Sequence, residues 1–328
     1  MRSSAASDVY KRQKRYKLLL ELCDEFCKEY KNRIDVDRTI HSLFRYQTLR
    51  RDLSLFICQD YKVKDIPLVE LDQSFAEKFA AYLKHVKGLA DTTISVEIKS
   101  LKHIVKKAFN DGQMEKNPFA YYYYFADQPE IEYLTEEEIN KLIIGKVKQQ
   151  RQDRTRDMFL FCCFTGLSYA DLAKLSYEEL KQTPNGAWWI SSIRQKTKVP
   201  FTVKLLPVAK AILEKYRIPA NRFNRLFPEN PGKVFPVASL KSSDVCLKHI
   251  ARQCEITKNL KFHMARHTFA TTVSLMNGIP LETVSKMLGH KYTTTTQIYA
   301  KVTNQMIGNA ISRIEDKIGD RFQFPTLK

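Results

Sequence analysis

The apolar positions of the first 118 residues recur at intervals of three and four, which is the spacing of one buried helix face. The pattern is interrupted at Pro67, Gly88 and the pair Asn117-Pro118. It predicts four amphipathic helices, at about residues 14–30, 37–60, 74–86 and 91–110. Ser74 is a suitable cap for the third helix. Lysines and arginines crowd the polar faces, so these helices should form a compact, basic all-α module.

A different pattern follows residue 132. Thr135 and Glu138 have the spacing of a capping box, which predicts the start of a helix. Residues 187–206 carry the only convincing strand signal, an apolar run and an alternating run on either side of a Gln-Lys-Thr-Lys turn, and Pro200 favours an edge strand. More helices are expected at about 207–216, 239–254, 263–277, 280–288 and 293–312. The predicted fold is mainly α with a small antiparallel β-sheet (α+β).

The 328 residues are enough for two domains. Residues 1–13 lack any period and resemble a cloning or assembly scar or a disordered tail, so the natural chain could be longer at this end. We expect a helical domain over 14–118, a linker over 119–132, and a second domain over 133–328 that ends in a helix and tail. The four tyrosines at 121–124 are expected to pack the linker against both domains, with base stacking as the alternative.

The chain is strongly basic, with Lys+Arg 54 against Asp+Glu 36 and a formal net charge of +18. This surplus favours nucleic acid as the partner, ahead of anionic membranes or acidic proteins. No apolar run is long enough to span a membrane, and no signal peptide is visible. The seven cysteines are scattered without a CxxC pair, which indicates reduced thiols and a cytoplasmic protein without a zinc site. We expect no cofactor.

Candidate chemistry is concentrated near the C-terminus, in His263-Met-Ala-Arg266-His267, Leu288-Gly289-His290 and Tyr299. An arginine fork can bind two phosphate oxygens, a histidine can donate to phosphate or move a proton, and a tyrosine can act as a covalent nucleophile. His263 and His267 also have a metal-ligand spacing, but no glutamate stands beside the first as zinc proteases require. We therefore expect His267 to pack in the core or to cap backbone groups.

These motifs, read as HMARH, MLGH and IYAKV, resemble those of the tyrosine recombinase (phage integrase) family, of the kind found in conjugative transposons and phages. TGLSYADLAKL at 165–175 and IRQKTKVP at 193–200 stand where that family has its first catalytic box and its lysine-bearing hairpin. The resemblance covers about residues 17–310. It implies a core-binding domain and a catalytic domain that form a C-shaped DNA clamp, and cleavage of DNA through a 3′-phosphotyrosyl intermediate without metal or ATP.

The resemblance also implies roles for individual residues. Tyr299 would be the nucleophile, while Tyr292 follows His290 too closely to match the motif. Arg266 would hold the phosphate, His263 would contact it and manage the tyrosine proton, and His290 would donate a hydrogen bond. Lys196 would protonate the leaving 5′-oxygen, with Lys198 as its rival.

One position departs from the family pattern. Most relatives have an arginine where this chain has Ser168, so the first catalytic arginine is missing. Our candidate replacement is Arg194, because alternation along a strand would point it to the same face as Lys196. Asp171 stands where relatives carry a supporting acidic residue.

The implied partner is double-stranded DNA, bound by a homo-tetramer on two sites and helped by accessory bending or directionality factors. Basic residues of the helical domain are the candidates for DNA contact: Arg45, Arg50, Lys99, Lys102 and Lys106. The leading hypothesis is a recombinase that integrates or excises a mobile element. A non-catalytic DNA-binding relative and a type IB topoisomerase-like enzyme are the alternatives.

Overall fold

The computed structural model describes residues 17–34, 36–127 and 130–299, together with 308, 311, 312, 314 and 315; for 220 and 221 it describes the backbone only. The expected tail at 1–13 and most of the expected C-terminal helix therefore lie outside the described residues. The chain divides into two compact units, Met1–Pro129 and Glu130–Lys328. No helix within the described ranges is long and apolar enough to cross a membrane.

Unit 1 contains the four helices that the apolar pattern predicts. They are α1 (Leu19–Asn32), α2 (Ile40–Phe56), α3 (Gln73–His85) and α4 (Asp91–Asn110), with a π-helical turn at Ile57–Tyr61 and a 3-10 turn at Leu68–Glu70. Helix α3 begins earlier than expected. Asp72 is its cap, because the Asp72 carboxylate accepts the Phe75 N–H at 2.8 Å, so the prediction of Ser74 as cap was wrong.

The apolar faces of these helices meet in one core. The largest side chains in it, Phe56, Phe79 and Phe119, are fully buried. Helix α4 contributes a continuous stripe of buried residues: Ile94, Ile98, Leu101, Ile104, Val105 and Ala108. Each fully buried large aliphatic side chain stabilises the fold by about 1.5–3 kcal/mol, so this stripe holds α4 firmly in unit 1.

The tyrosine run after α4 follows an alternating pattern. Tyr122 and Tyr124 pack against the core of unit 1, whereas Tyr121 is 90% exposed and Tyr123 is 65% exposed. Within the second unit, Ile131 packs against the core of its own unit. Half of the tyrosine run therefore packs against unit 1, and the other half faces solvent; packing against both domains stays a prediction.

Unit 2 is helical around a small sheet. Its helices are α5 (Glu136–Ile144), α6 (Gln150–Thr165), α7 (Tyr169–Lys174), α8 (Pro207–Tyr216), α9 (Ala220–Leu226), α10 (Leu240–Gln253), α11 (Met264–Thr268) and α12 (Leu281–Met287). Helix α11 continues as a π-helix over Phe269–Leu275. The capping box of Thr135 and Glu138 is present at the start of α5, as expected. Helix α9 was not predicted.

The sheet has three antiparallel strands in the order β1-β2-β3, namely Leu180–Gln182, Trp188–Ile193 and Pro200–Lys204. The β2–β3 hairpin and the edge position of Pro200 are confirmed, with Pro200 opposite Ile193. Strand β1 was missed because three residues are too few to show an alternation. The fold is thus mainly α with a small antiparallel sheet, as the pattern predicts.

Hydrogen bonds to the segment before α5 fix the end of α11 and its π-helical continuation. The Leu134 N–H donates to Thr268 Oγ1 at 3.0 Å, and Thr272 Oγ1 donates to the Leu134 carbonyl. Thr268 also donates to the Met264 carbonyl at 2.9 Å. These bonds are buried, so they fix the rotation of α11 and with it the direction of the side chains that the helix presents.

The last expected helix, at 293–312, is absent over residues 293–299, whereas the described residues 308, 311 and 312 are helical as expected. Two short 3-10 turns, Thr293–Thr295 and Gln297–Tyr299, stand there instead. Four threonines in a row (293–296) explain the difference, since β-branched residues and hydroxyls that compete for backbone groups disfavour an α-helix. Tyr299 therefore lies on a tight turn, and its side chain is buried.

Candidate active site

Arg266 lies at the centre of the site. Its side chain projects from α11 and is only 3% exposed. One guanidinium nitrogen donates to the Gly166 carbonyl at 2.7 Å, and the other donates to the Leu288 carbonyl. Those carbonyls stand at the ends of α6 and α12, where helix carbonyls have no partner within the helix. Arg266 therefore joins three sequence boxes that are far apart along the chain.

Gly166 makes this arrangement possible. It ends α6 with φ at +71°, a conformation that side-chain-bearing residues rarely adopt. A Cβ at this position would lie 2.4 Å from Phe269 Cδ1 and 3.0 Å from Leu288 Cδ2. The glycine thus lets the backbone carbonyl approach Arg266 closely.

The pKa of Arg266 is lowered to about 10, chiefly by burial and also by the neighbouring charge of Arg194, while Tyr299 and Asp171 act in the opposite direction. The guanidinium still carries its charge at neutral pH. A positive charge held in a poorly solvated place binds an anion strongly, because little water has to be displaced.

Arg194 reaches the same place from the β-hairpin. It directly follows β2 and closes the hairpin turn, with its N–H donating to the Val199 carbonyl at 2.9 Å. Its guanidinium Nη1 lies 3.4 Å from the Gly289 carbonyl, and the hydroxyl of Thr197 donates to that same carbonyl at 2.9 Å. Arg266 and Arg194 thus contact consecutive carbonyls, those of Leu288 and Gly289.

The Arg194 side chain is half-buried, and its Nε has no hydrogen-bond partner among the described residues. Burial lowers the pKa of Arg194, and the charges of Asp171 and Tyr299 oppose this shift. A buried N–H donor without a partner is costly in an empty site and becomes favourable when an anion accepts it.

Ser168 does not replace the missing arginine. It caps α7, where its oxygen accepts the Asp171 N–H at 3.3 Å and its hydroxyl donates to the Asp171 carboxylate at 2.6 Å. The other carboxylate oxygen of Asp171 accepts the Gln195 N–H at 2.9 Å. Asp171 therefore anchors the backbone next to Arg194 and adds a negative charge beside that guanidinium.

His263 stands at the start of α11 and has an exposed side chain. Surrounding protein atoms lower its pKa by desolvation, and the charges of Arg266, Lys196 and Arg194 lower it further. Lys196 is therefore close enough to His263 for its charge to affect that imidazole. Its own side chain is exposed on the hairpin turn. Its rival Lys198 is also exposed, on a residue with φ at +58°.

His290 follows the turn that holds both arginines. Its Nδ1 lies 2.7 Å from Thr296 Oγ1, and its backbone N–H donates to the Ser285 carbonyl at 3.0 Å. Burial lowers the pKa of His290 to about 4, with further lowering by Arg266 and Arg194. The imidazole is neutral at pH 7, so Nδ1 and Nε2 together carry one proton.

Tyr299 is 5% exposed. Burial raises the pKa of its phenol, and the charges of Arg266 and Arg194 oppose that shift. The phenolic oxygen lies 3.1 Å from His267 Nδ1. By contrast, Tyr292 is 62% exposed.

The contact of His267 with Tyr299 was missed in the sequence, where we expected His267 to pack in the core or cap backbone groups. The sequence did indicate that His267 lies near the site, because residues four apart on a helix share a face and His267 is therefore beside His263. Their ring centroids are 4.5 Å apart in a T-shaped arrangement. No group of three metal-ligating side chains exists in the part of the chain that the structure describes.

The five candidate DNA-contact residues of unit 1 differ in whether their side chains already contact other groups of the protein. Arg50 forms a two-pronged ion pair with Asp24, at 2.9 Å for each bond. Lys102 donates to the Tyr122 carbonyl, and its ammonium lies 4.2 Å from the Tyr123 ring centroid. The guanidinium of Arg45 lies over the ring of Tyr46.

The remaining two candidates, Lys99 and Lys106, are exposed on α4. Arg50 and Lys102 already have partners within the protein, so Lys99 and Lys106 are better placed to meet a ligand.

Two family descriptions match the chain. The phage integrase family matches residues 132–306, more than half of the chain, and the phage integrase SAM-like domain matches residues 18–126. Tyrosine recombinase XerC of Listeria monocytogenes serotype 4b (strain F2365) is 24% identical over 229 residues, 67% of this chain and 74% of the relative. A tyrosine recombinase of Pseudothermotoga lettingae is 25% identical over 279 residues, 80% of this chain and 89% of the relative.

Solved structures share the fold. The Tn1549 transposon integrase in complex with transposon right end DNA has a TM-score of 0.66 at 19% identity, covering 91% of this chain and 99% of that one. The XerH site-specific recombinase bound to its difH substrate has a TM-score of 0.64 at 19% identity, covering 88% and 83%. The chain therefore belongs to the phage integrase family and is a tyrosine recombinase.

Proposed function

We propose that this recombinase cuts and rejoins double-stranded DNA through a covalent bond to Tyr299, and that it integrates or excises a mobile element. The observation that carries the proposal is the convergence of two guanidinium groups on one turn beside a buried tyrosine. Arg266 contacts the Leu288 carbonyl and Arg194 contacts the Gly289 carbonyl. A phosphodiester is the ligand that suits two such forks and a nearby phenol.

In the proposed reaction the phenolic oxygen of Tyr299 attacks the scissile phosphorus. A bond forms between that oxygen and phosphorus while the phenolic proton passes to a neighbouring imidazole, and the bond from phosphorus to the 5′-oxygen breaks. Arg266 and Arg194 bind the non-bridging oxygens, whose negative charge grows in the transition state. His263 and His290 donate further hydrogen bonds, and Lys196 gives a proton to the leaving 5′-oxygen. The phosphotyrosyl ester keeps the bond energy, so rejoining needs no added energy source.

Arg194 takes the place of the arginine that is absent at position 168. Its half-buried guanidinium, the charge of Asp171 and the unpartnered Nε support this assignment. Asp171 and Ser168 are supporting residues, which hold the hairpin so that Arg194 points at the phosphate.

The partner is double-stranded DNA, which the Tn1549 integrase and XerH structures contain. In our proposal both units contribute to binding it, divided near the boundaries inferred from the sequence, with exposed lysines of α4 among the contacts. Exchange between two duplexes requires four active sites, so the active assembly is a homo-tetramer on two DNA sites, with accessory bending or directionality factors. The cytoplasm is its proposed place of action.

A strand-exchange assay tests this function. Two labelled duplexes from candidate attachment regions are incubated with the protein, and recombinant products are scored beside relaxation of a supercoiled plasmid that carries the same site. Recombinant duplexes support the proposal. Relaxation without recombinants would instead identify a nicking and closing enzyme, and DNA retention without either product would identify a non-catalytic relative.

A further inference from the structure

The phenol of Tyr299 is hydrogen-bonded to His267, a histidine that has no part in the reaction proposed above. Its oxygen lies 3.1 Å from His267 Nδ1, and no other hydrogen bond to it occurs within the ranges that the structure describes. The ring centroids of the two residues are 5.4 Å apart. The family resemblance implies that His263 handles the phenolic proton. His263 instead contacts the ring of His267 edge to face, so His267 is the histidine next to the phenol.

We propose that His267, rather than His263, accepts the phenolic proton of Tyr299 during strand cleavage, an inference that rests on the function proposed above. As the bond from the phenolic oxygen to phosphorus forms, the phenolic proton moves to Nδ1 of neutral His267, which becomes an imidazolium. The leaving 5′-oxygen takes its proton from Lys196. On rejoining, the 5′-hydroxyl returns a proton to Lys196, and His267 returns its own proton to the phenol.

Burial sets the protonation state of His267, which decides whether it can accept the phenolic proton. The pKa of His267 is lowered to about 4, chiefly by desolvation and also by His263 and Arg266 on the same helix. The imidazole is therefore neutral at pH 7, with a free lone pair for the phenol. A base whose conjugate acid is so acidic takes a phenolic proton poorly, which keeps Tyr299 unreactive while no phosphate is bound.

A bound phosphodiester changes this balance. Its negative charge offsets that of Arg266, which adds to the lowering of the pKa of His267 by desolvation, so imidazolium becomes easier to form. The phenol responds to the same groups, because Arg266 and Arg194 already oppose the rise of its pKa. Binding of the phosphodiester would thus make His267 a stronger base, and His267 would then activate Tyr299 for attack on that phosphodiester.

The test compares two substitutions in the full chain. His267→Asn keeps a hydrogen-bond acceptor near the position of Nδ1 but cannot take a proton near neutral pH, and His267→Leu removes both properties. The matched control is His249→Asn, at an exposed position of α10. Single-turnover cleavage of a labelled duplex is measured between pH 6 and 9, with thermal unfolding and DNA retention recorded for every variant.

We expect His267→Asn to cleave about 100- to 10,000-fold more slowly at pH 7, the usual contribution of a positioned base. Its rate should rise with pH over the whole range, because hydroxide must now remove the phenolic proton. A substrate with sulfur in place of the leaving 5′-oxygen needs no proton donor. It should restore Lys196→Ala but leave His267→Asn slow.

Wild-type rates and an unchanged pH profile in His267→Asn would overturn the role of His267 and leave the proposed function intact. Rescue of His267→Asn by the sulfur substrate would also overturn it, since the lost step would then lie at the leaving group. If wild type itself forms no adduct with DNA that it retains, both the proposed function and this inference fail.

Discussion

In our proposal, Arg194 supplies from another part of the chain the positive charge that Ser168 lacks. Ser168 brings no positive charge to the first catalytic box, and its hydroxyl is bonded to Asp171. The guanidinium of Arg194 comes instead from the β-hairpin, and its charge lowers the pKa of both Arg266 and His290. What the reaction requires is a cation at the phosphate, so the residue that carries it is free to move along the sequence.

We expect Arg194→Ala to lower cleavage by about 100- to 1,000-fold, the usual effect of removing one donor to transition-state charge. Retention of DNA should be nearly unchanged, because one contact among many is lost. Arg194→Lys should recover only part of the rate, since an ammonium lacks the planar fork. The control is Arg252→Ala, at an exposed position of α10. Near-normal cleavage by Arg194→Ala would exclude this residue from the site.

Gly166 offers a second test at the scale of one residue. Gly166→Ala meets both an unfavourable φ and the ring of Phe269, so we expect it to lower the free energy of unfolding by about 2–5 kcal/mol. Gly186→Ala is the matched control, because Gly186 also has a positive φ (+79°) but no atom within 4 Å of the added Cβ. It should cost about 1–2 kcal/mol. Equal losses in denaturant unfolding would show that the close packing at Gly166 is unimportant.

At the scale of elements, two hydrogen bonds hold the turn of the β2–β3 hairpin to the rest of unit 2, in addition to the contact of Arg194 with the Gly289 carbonyl. Asp171 accepts the Gln195 N–H, and Thr197 donates to the Gly289 carbonyl. These bonds fix the residues on either side of Lys196. They therefore position a lysine whose own side chain is exposed.

We expect Thr197→Val to lower the cleavage rate by about tenfold, because loss of one hydrogen bond of about 1 kcal/mol frees the turn that carries Lys196. The free energy of unfolding should fall by no more than about 1 kcal/mol. Thr202→Val, at an exposed position of β3, is the control. An unchanged rate for Thr197→Val, measured in single turnover on a duplex, would show that this bond does not position the lysine.

Element prediction succeeded where a helix has a long apolar face or a cap. Helix α4, with its six-residue buried stripe, runs over the predicted residues, and α5 starts at its capping box. It failed where local propensity is weak or tertiary contacts decide. The turns at 293–299 were expected as helix, and the three residues of β1 show no pattern of their own.

The site was predictable in its residue types but less so in its contacts. The motifs indicate Arg266, His290 and Tyr299 directly, because arginine, histidine and tyrosine at that spacing suit phosphate chemistry. They do not indicate that Arg266 binds the Gly166 and Leu288 carbonyls, nor that Tyr299 contacts His267. Those contacts depend on how α6, α11 and α12 pack against one another, and local sequence patterns do not predict that packing.

At the scale of the whole molecule, the net charge of +18 favours contacts with DNA phosphates, and the number of such contacts sets the salt dependence of binding. The logarithm of the binding constant should fall linearly with the logarithm of salt concentration, by about 0.9 per neutralised phosphate. Lys99→Ala and Lys106→Ala should each reduce this slope by about one, if each ammonium meets a phosphate. Arg50→Ala should leave the slope almost unchanged, because Arg50 is paired with Asp24.

Fluorescence anisotropy of a labelled duplex between about 50 and 200 mM salt, the range over which such binding changes steeply, gives these slopes. Equal reductions for Lys99→Ala and Arg50→Ala would contradict the distinction between free and internally paired cations.

The central claim is that Tyr299 forms a covalent bond with DNA. The direct measurement is capture of that bond, with wild type, Tyr299→Phe and the neighbouring control Tyr292→Phe incubated with pre-nicked duplexes from candidate attachment regions and then denatured. We predict DNA joined to protein for wild type and Tyr292→Phe but not for Tyr299→Phe, with the phosphotyrosyl peptide mapping to Tyr299. An adduct that persists in Tyr299→Phe, or none in wild type that demonstrably retains the duplex at low salt, would contradict the account.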